Sequence, residues 1–141
     1  MPAKRISDSG VSFIIEFEGF SSRSFWDSQQ WSIGYGTKAS GRGETITRAQ
    51  AKIDLLKELA IPGRWLDRNI NTDLNQNQID ALISFGYNLG TGALTRLKFD
   101  INGRRFSRVA SRMLSFNHAD GEVNAGLTRR RRAESKLFLK G

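Results

Sequence analysis

Phe17-Glu18-Gly19-Phe20, then Arg23, Phe25 and Asp27, then Trp31-Ser32-Ile33-Gly34-Tyr35-Gly36-Thr37: across these residues the sequence pattern changes from helical to alternating. Before them, Val11, Ile14, Ile15 and Glu18 fall on one side of a helix that Ser7 is placed to cap. This predicts a helix from Ser7 to about Phe20, with Glu18 closing its apolar stripe. After them, Trp31, Ile33 and Tyr35 alternate with small residues, and the segment from Phe25 to Thr45 is rich in glycine, serine and aromatics. Short strands joined by tight turns, a small hairpin sheet, are expected there.

Everything beyond that sheet reads as helix. Thr47 with Gln50 has the form of a capping box, with Ile46 as its staple, and opens a helix through Ile53, Leu56 and Leu59 that should end before Pro62. Asn75 with Gln78 repeats the signal ahead of a very apolar helix, Ile79 to Leu89, which is expected to form the core and to be closed by Gly90 and Gly92. After Asn102-Gly103 a further helix should carry Val109, Met113 and Leu114, and a last one, starting near Leu127, should carry Ala133, Leu137 and Phe138. The basic run Arg129 to Arg132 reads as the start of that last helix. Its outer arginines are expected to be solvated and its inner ones to pair with carboxylates, with Arg131 turned inward and Arg129, Arg130 and Arg132 assigned to a basic surface that meets the envelope. No internal repeat or low-complexity linker interrupts the chain.

The 141 residues fit one domain, for which two lobes sharing a long helix are one available form. The chain has no cysteine and a single histidine, His118. That removes disulfides, thiol nucleophiles and a three-ligand His/Cys zinc site. No Gly-x-Ser-x-Gly elbow accompanies His118, which reads as an exposed loop residue. No apolar run has signal-peptide or membrane-spanning length, so cytoplasmic synthesis without a signal peptide and no stable membrane insertion are expected. The net charge of +8 points to an acidic polymer as partner: nucleic acid, anionic lipid or an anionic bacterial envelope. A helix-turn-helix or aromatic stacking signature is lacking, which argues against nucleic acid.

Carboxylates remain as chemistry. Glycoside hydrolysis needs two, one protonated towards the leaving oxygen and one ionised to activate water or steady a cationic sugar. Glu18 ends an apolar stripe, whereas Asp27 sits in a polar Ser-Gln-Gln turn, and this difference in surroundings suits that division. The residues alone leave a second reading open, in which Glu18 is half of a buried ion pair with an arginine.

The opening string resembles the active-site signature of the phage lysozymes of glycoside hydrolase family 24, in which a helix-ending Glu is followed nine residues on by Asp, then by a Thr opening a Thr-Ile-Gly-Tyr-Gly strand. Glu18 and Asp27 match at that spacing. The resemblance extends through Gly43-Glu44-Thr45-Ile46-Thr47, through Gln76 to Phe85 with Asn88 and Gly90, and through Gly126-Leu127, Arg130-Arg131, Glu134 and Phe138. Two departures stand out. Ser32 occupies the place of the family's Thr after a turn one residue shorter, and Thr37 follows Gly36 where the family has a His.

The resemblance implies an α+β lysozyme-like fold over residues 1–141. A β lobe at about 21–46 and a mainly helical lobe at about 62–141 with the N-terminal helix would be joined by a long helix, with the cleft between them. It implies hydrolysis of the β-1,4 bond between N-acetylmuramic acid and N-acetylglucosamine in peptidoglycan. Glu18 would be the general acid and Asp27 the base or electrostatic partner, with Ser32 positioning the water. Gly34, Tyr35 and Gly36 would let sugar approach the sheet backbone, and Tyr87 and Asn88 would face it. No metal and no cofactor are implied. The partners would be peptidoglycan and the anionic envelope, with no nucleic acid, and the protein would be a monomer reaching the wall through a membrane pore. A lytic transglycosylase and a non-catalytic basic binding module are the rival readings; Asp27 weighs against the first.

Overall fold

The computed structural model describes residues 3–141. Its first helix, α1 (Asp8–Glu18), is capped by the Ser7 hydroxyl, which accepts from the Gly10 N–H at 3.0 Å. The same hydroxyl donates to buried Asp80 at 2.5 Å, tying the cap to the core. The helix stops at Glu18 rather than Phe20, because Gly19 turns away at φ 67°. Glu18 is therefore the last helical residue. Strands β1 (Ser21–Trp26), β2 (Trp31–Gly34) and β3 (Thr37–Lys38) follow as an antiparallel sheet in that order, with Phe25 opposite Ser32 and Trp26 opposite Trp31.

The linking helix α2 (Arg48–Asn69) does not end before Pro62 but runs on past it. Proline removes one backbone donor and costs about 3 kcal/mol in a helix interior. Here the buried stripe Ala51, Leu55, Leu59, Pro62, Leu66 continues through the break, so tertiary packing outweighs the local penalty. The capping box expected at its start forms only in part. Thr47 accepts from the Gln50 N–H at 3.1 Å, but the Gln50 side chain turns to Asp54 instead of back to the cap.

In α3 (Gln76–Leu89) both halves of the capping box are made. Residues 78–86 are all buried, and α3 packs on α2 and on α4 (Thr91–Asn102), α6 (Ala125–Leu139) and α1. Helix α4 is the one helix the sequence reading lacked. Gly90, at φ 91°, ends α3 and lets a new helix begin at once, so Gly92 lies inside α4 instead of closing α3. Buried Leu94, Leu97 and Ile101 supply its apolar face. The short α5 (Phe106–Met113) buries Val109 and Met113, while Leu114 at its end is exposed. A hairpin of β4 (His118–Ala119) and β5 (Glu122–Val123) precedes α6, and His118 is exposed there.

Inside α6 the two inner arginines, Arg130 and Arg131, are both buried, at 4% and 0% exposure, so Arg130 does not belong to the basic surface to which it was assigned. Residues three and four apart share a helix face, and Glu134 stands at those spacings from both arginines: it meets Arg130 Nε at 3.3 Å and Arg131 Nε at 2.7 Å. Burial pushes the Glu134 carboxyl up, opposed by the arginines and by the Ser84 hydroxyl.

Candidate active site

A cleft of about 310 Å³ opens between the sheet and the helices, lined by Glu18, Gln30, Gly36, Thr37, Lys38, Glu58, Tyr87 and Asn88. Glu18 reaches it because α1 stops there. Its Oε2 accepts from Arg130 Nη1 at 2.6 Å, and Arg130 is itself held by Glu134 and by Ser84. Oε1 faces Gly36, where a Cβ would come within 2.9 Å of it. The ion pair that the sequence left open is thus present, and an unpaired acid in an apolar wall is not. One oxygen of the carboxylate is committed to Arg130 and the other stands at the cleft. Glycine at position 36, with φ 92°, keeps that oxygen uncovered.

Asp27 occupies the turn between β1 and β2. The N–H groups of Gln29 and Gln30 both donate to its Oδ1, at 3.0 and 2.9 Å, and the Ser32 hydroxyl donates to its Oδ2. These bonds, that of Ser32 foremost, hold the carboxyl below the usual carboxylate range. Ser32 is 1% exposed and also accepts from Gln30 Nε2 at 3.2 Å, so its hydroxyl is engaged as donor and as acceptor. The shortened turn therefore keeps Ser32 in reach of Asp27; neither lines the cleft itself, and Gln30, which bonds Ser32, does.

Of the remaining residues singled out from the sequence, Gly36, Tyr87 and Asn88 line the cleft with Glu18. Asn88 Oδ1 is buried and has no hydrogen-bond partner among the described residues. The Tyr87 hydroxyl donates to the Tyr35 carbonyl at 3.2 Å. Burial, with the carboxylates of Glu18 and Glu58 adding to it, pushes the Tyr87 phenol up, which keeps it a neutral donor. Gly34 and Tyr35 are placed elsewhere. Gly34 packs on α2, where a Cβ would stand 2.9 Å from that of Ala51, and the Tyr35 ring is buried against Phe20 at 5.4 Å. Sequence reasoning missed Glu58, Gln30 and the part of Arg130 in holding Glu18. The last had one available signal, the four-residue spacing from Arg130 to Glu134.

A small sheet and a helical body joined by a long helix, with a helix-ending glutamate at the cleft between them and an aspartate in the sheet's first turn, define a protein of the lysozyme class. The chain belongs to the phage lysozyme family, whose model matches residues 15–134. It is 33% identical over 144 residues to the endolysin of Bacillus phage B103, covering 96% of this chain and 54% of that protein, so it spans about half of that relative's length. The muramidase domain of SpmX from Asticaccaulis excentricus superposes with a TM-score of 0.89 at 32% identity, over 97% of this chain and 99% of that one. The phage P22 lysozyme does so with a TM-score of 0.85 at 28% identity, over 96% and 99%.

Proposed function

We propose that the chain is a muramidase of the endolysin kind, hydrolysing the β-1,4 bond between N-acetylmuramic acid and N-acetylglucosamine in bacterial cell-wall peptidoglycan. The observation that carries this reading is the placement of two carboxylates, one at a helix end in the cleft and one in the first turn of the sheet. Glu18 presents Oε1 to the cleft while Arg130 anchors Oε2, and Asp27 is kept ionised by the Ser32 hydroxyl and two backbone N–H groups. Glu18 gives a proton to the leaving glycosidic oxygen, and Asp27 takes one from the attacking water as the new C–O bond forms. Ser32 acts on that water through Asp27. Asn88 Oδ1 is an acceptor for a sugar amide N–H, and Gly36 admits the ring. Relatives named endolysin and a structure named a muramidase domain support the substrate class.

Glu18→Gln tests this. It should keep its fold and lose at least about a hundredfold in clearing permeabilised cells, since an amide cannot supply the proton. Retention of more than about a tenth of the activity would falsify the assignment. Mass analysis of the fragments should show hydrolysed reducing ends; anhydro ends would mean transglycosylation. The first-formed anomer, read by NMR, should be α, the inverted product of water added from the Asp27 side.

A further inference from the structure

We propose that the corner formed by α4, the turn after it and α5 docks on an anionic phospholipid membrane, using Arg104, Arg105, Arg108 and Arg112 around the exposed ring of Phe99. Residues 91–117 contain six lysines and arginines and one acid, Asp100, a net of +5 out of the chain's +8. Asp100 is 3% exposed and meets Arg105 Nε at 2.9 Å, Arg112 Nη1 at 2.9 Å and Arg108 Nε at 3.5 Å. One carboxylate balances one guanidinium, so the corner keeps an excess of positive charge. Arg104 adds to it, because its hydrogen bonds go to the uncharged Thr72 hydroxyl and Asp73 carbonyl.

The cations are gathered before any ligand arrives. Arg105 crosses Gly103, where a Cβ would stand 2.2 Å from its Nη1, and covers the Phe99 ring at 4.5 Å. Holding like charges together costs free energy in the isolated protein, and an anionic surface removes that cost.

Phe99 decides in favour of a bilayer. It is 78% exposed, the most exposed large apolar side chain among the described residues. A polyphosphate would use the guanidinium groups alone and a single-stranded nucleic acid would stack successive bases on several rings, whereas a headgroup region takes up one aromatic ring beside its cationic neighbours. The Arg129 to Arg132 run is less suited to this task, because Arg130 and Arg131 are buried. The surface shares no residue with the cleft, so its test is independent of the muramidase reading.

Co-sedimentation of the intact protein with vesicles of phosphatidylcholine, with or without phosphatidylglycerol, decides it. Binding should require phosphatidylglycerol and weaken with salt. Arg108→Gln should weaken it about fivefold, the typical contribution of one cation at an anionic surface. Phe99→Ser should weaken it severalfold, and both variants should keep the parent's melting temperature and its activity on soluble muropeptide. The α6 variant Arg129→Gln/Arg132→Gln should bind nearly as the parent does. Equal binding to neutral vesicles overturns the proposal, as does an equal loss in the α6 variant. Binding to soluble polyphosphate that matches vesicle binding and ignores Phe99→Ser also overturns it, in favour of a polyanion site.

Discussion

The lowered pKa of Asp27 comes from a turn, and the turn can be taken apart one bond at a time. Its carboxyl lies below the usual range mainly because Ser32 donates to it. Ser32→Ala should therefore move its titration up, towards the ordinary carboxylate value. The sign follows from linkage: a depressed carboxyl contributes stability above its unfolded-state value and loses it as pH falls through the folded value. In the variant that loss begins at higher pH, and the acid limb of the activity profile moves the same way. NMR titration of the Asp27 carboxyl checks this, and an unmoved titration would remove Ser32 from the role given to it. At this scale the positions of the two carboxylates were legible, because one helix end and one polar turn mark them locally. The partner of Glu18 was not, since Arg130 lies 112 residues away and only the packing of α6 on α3 brings them together. The assignment of Arg130 to the basic surface failed for the same reason.

Gly34 belongs to the scale of elements, where β2 lies on α2. At φ 64° it adopts a conformation that costs other residues about 1–2 kcal/mol, and a Cβ there would stand 2.9 Å from the Cβ of Ala51. Gly34→Ala should lower stability by about 2–4 kcal/mol, strain and overpacking together. Differential scanning calorimetry reads the shift, and turnover per folded molecule should be unchanged because the residue faces α2 and not the cleft. Gly36, two residues on, should behave oppositely, since its missing side chain leaves room beside Glu18. Signals confined to a few residues were readable in advance: the Ser7 cap, the Asn75–Gln78 box, the alternation of β2. Elements decided by distant contacts were not. Pro62 reads as a stop until the buried stripe of α2 is seen to run through it, and Gly90-Thr91-Gly92 reads as a loop until Leu94, Leu97 and Ile101 are seen buried.

For the whole molecule, the question is what holds the sheet at its distance from the helical body across the cleft. Among the described residues, the hydrogen bond from the Tyr87 hydroxyl to the Tyr35 carbonyl is the one that joins residues 21–46 to residues 62–141 directly. The sheet also packs on α2, and Tyr35 joins the apolar core. Losing one such bond costs about 1 kcal/mol, too little to unfold the protein but enough to change how often the two sides stand at the right spacing. The phenol's raised pKa means that it donates throughout the working range, so the tie itself does not titrate there. Tyr87→Phe should thus keep both carboxylates, shift the melting temperature by only a few degrees, and loosen the cleft. A site that is correct only part of the time binds more weakly by that fraction, which raises KM, while turnover of the bound complex changes less because the sugar itself then bridges the two sides. Kinetics on a soluble muropeptide separate the two parameters. A severalfold rise in KM with kcat nearly intact supports the tie, whereas a fall in kcat alone would make the Tyr87 hydroxyl part of the chemistry instead.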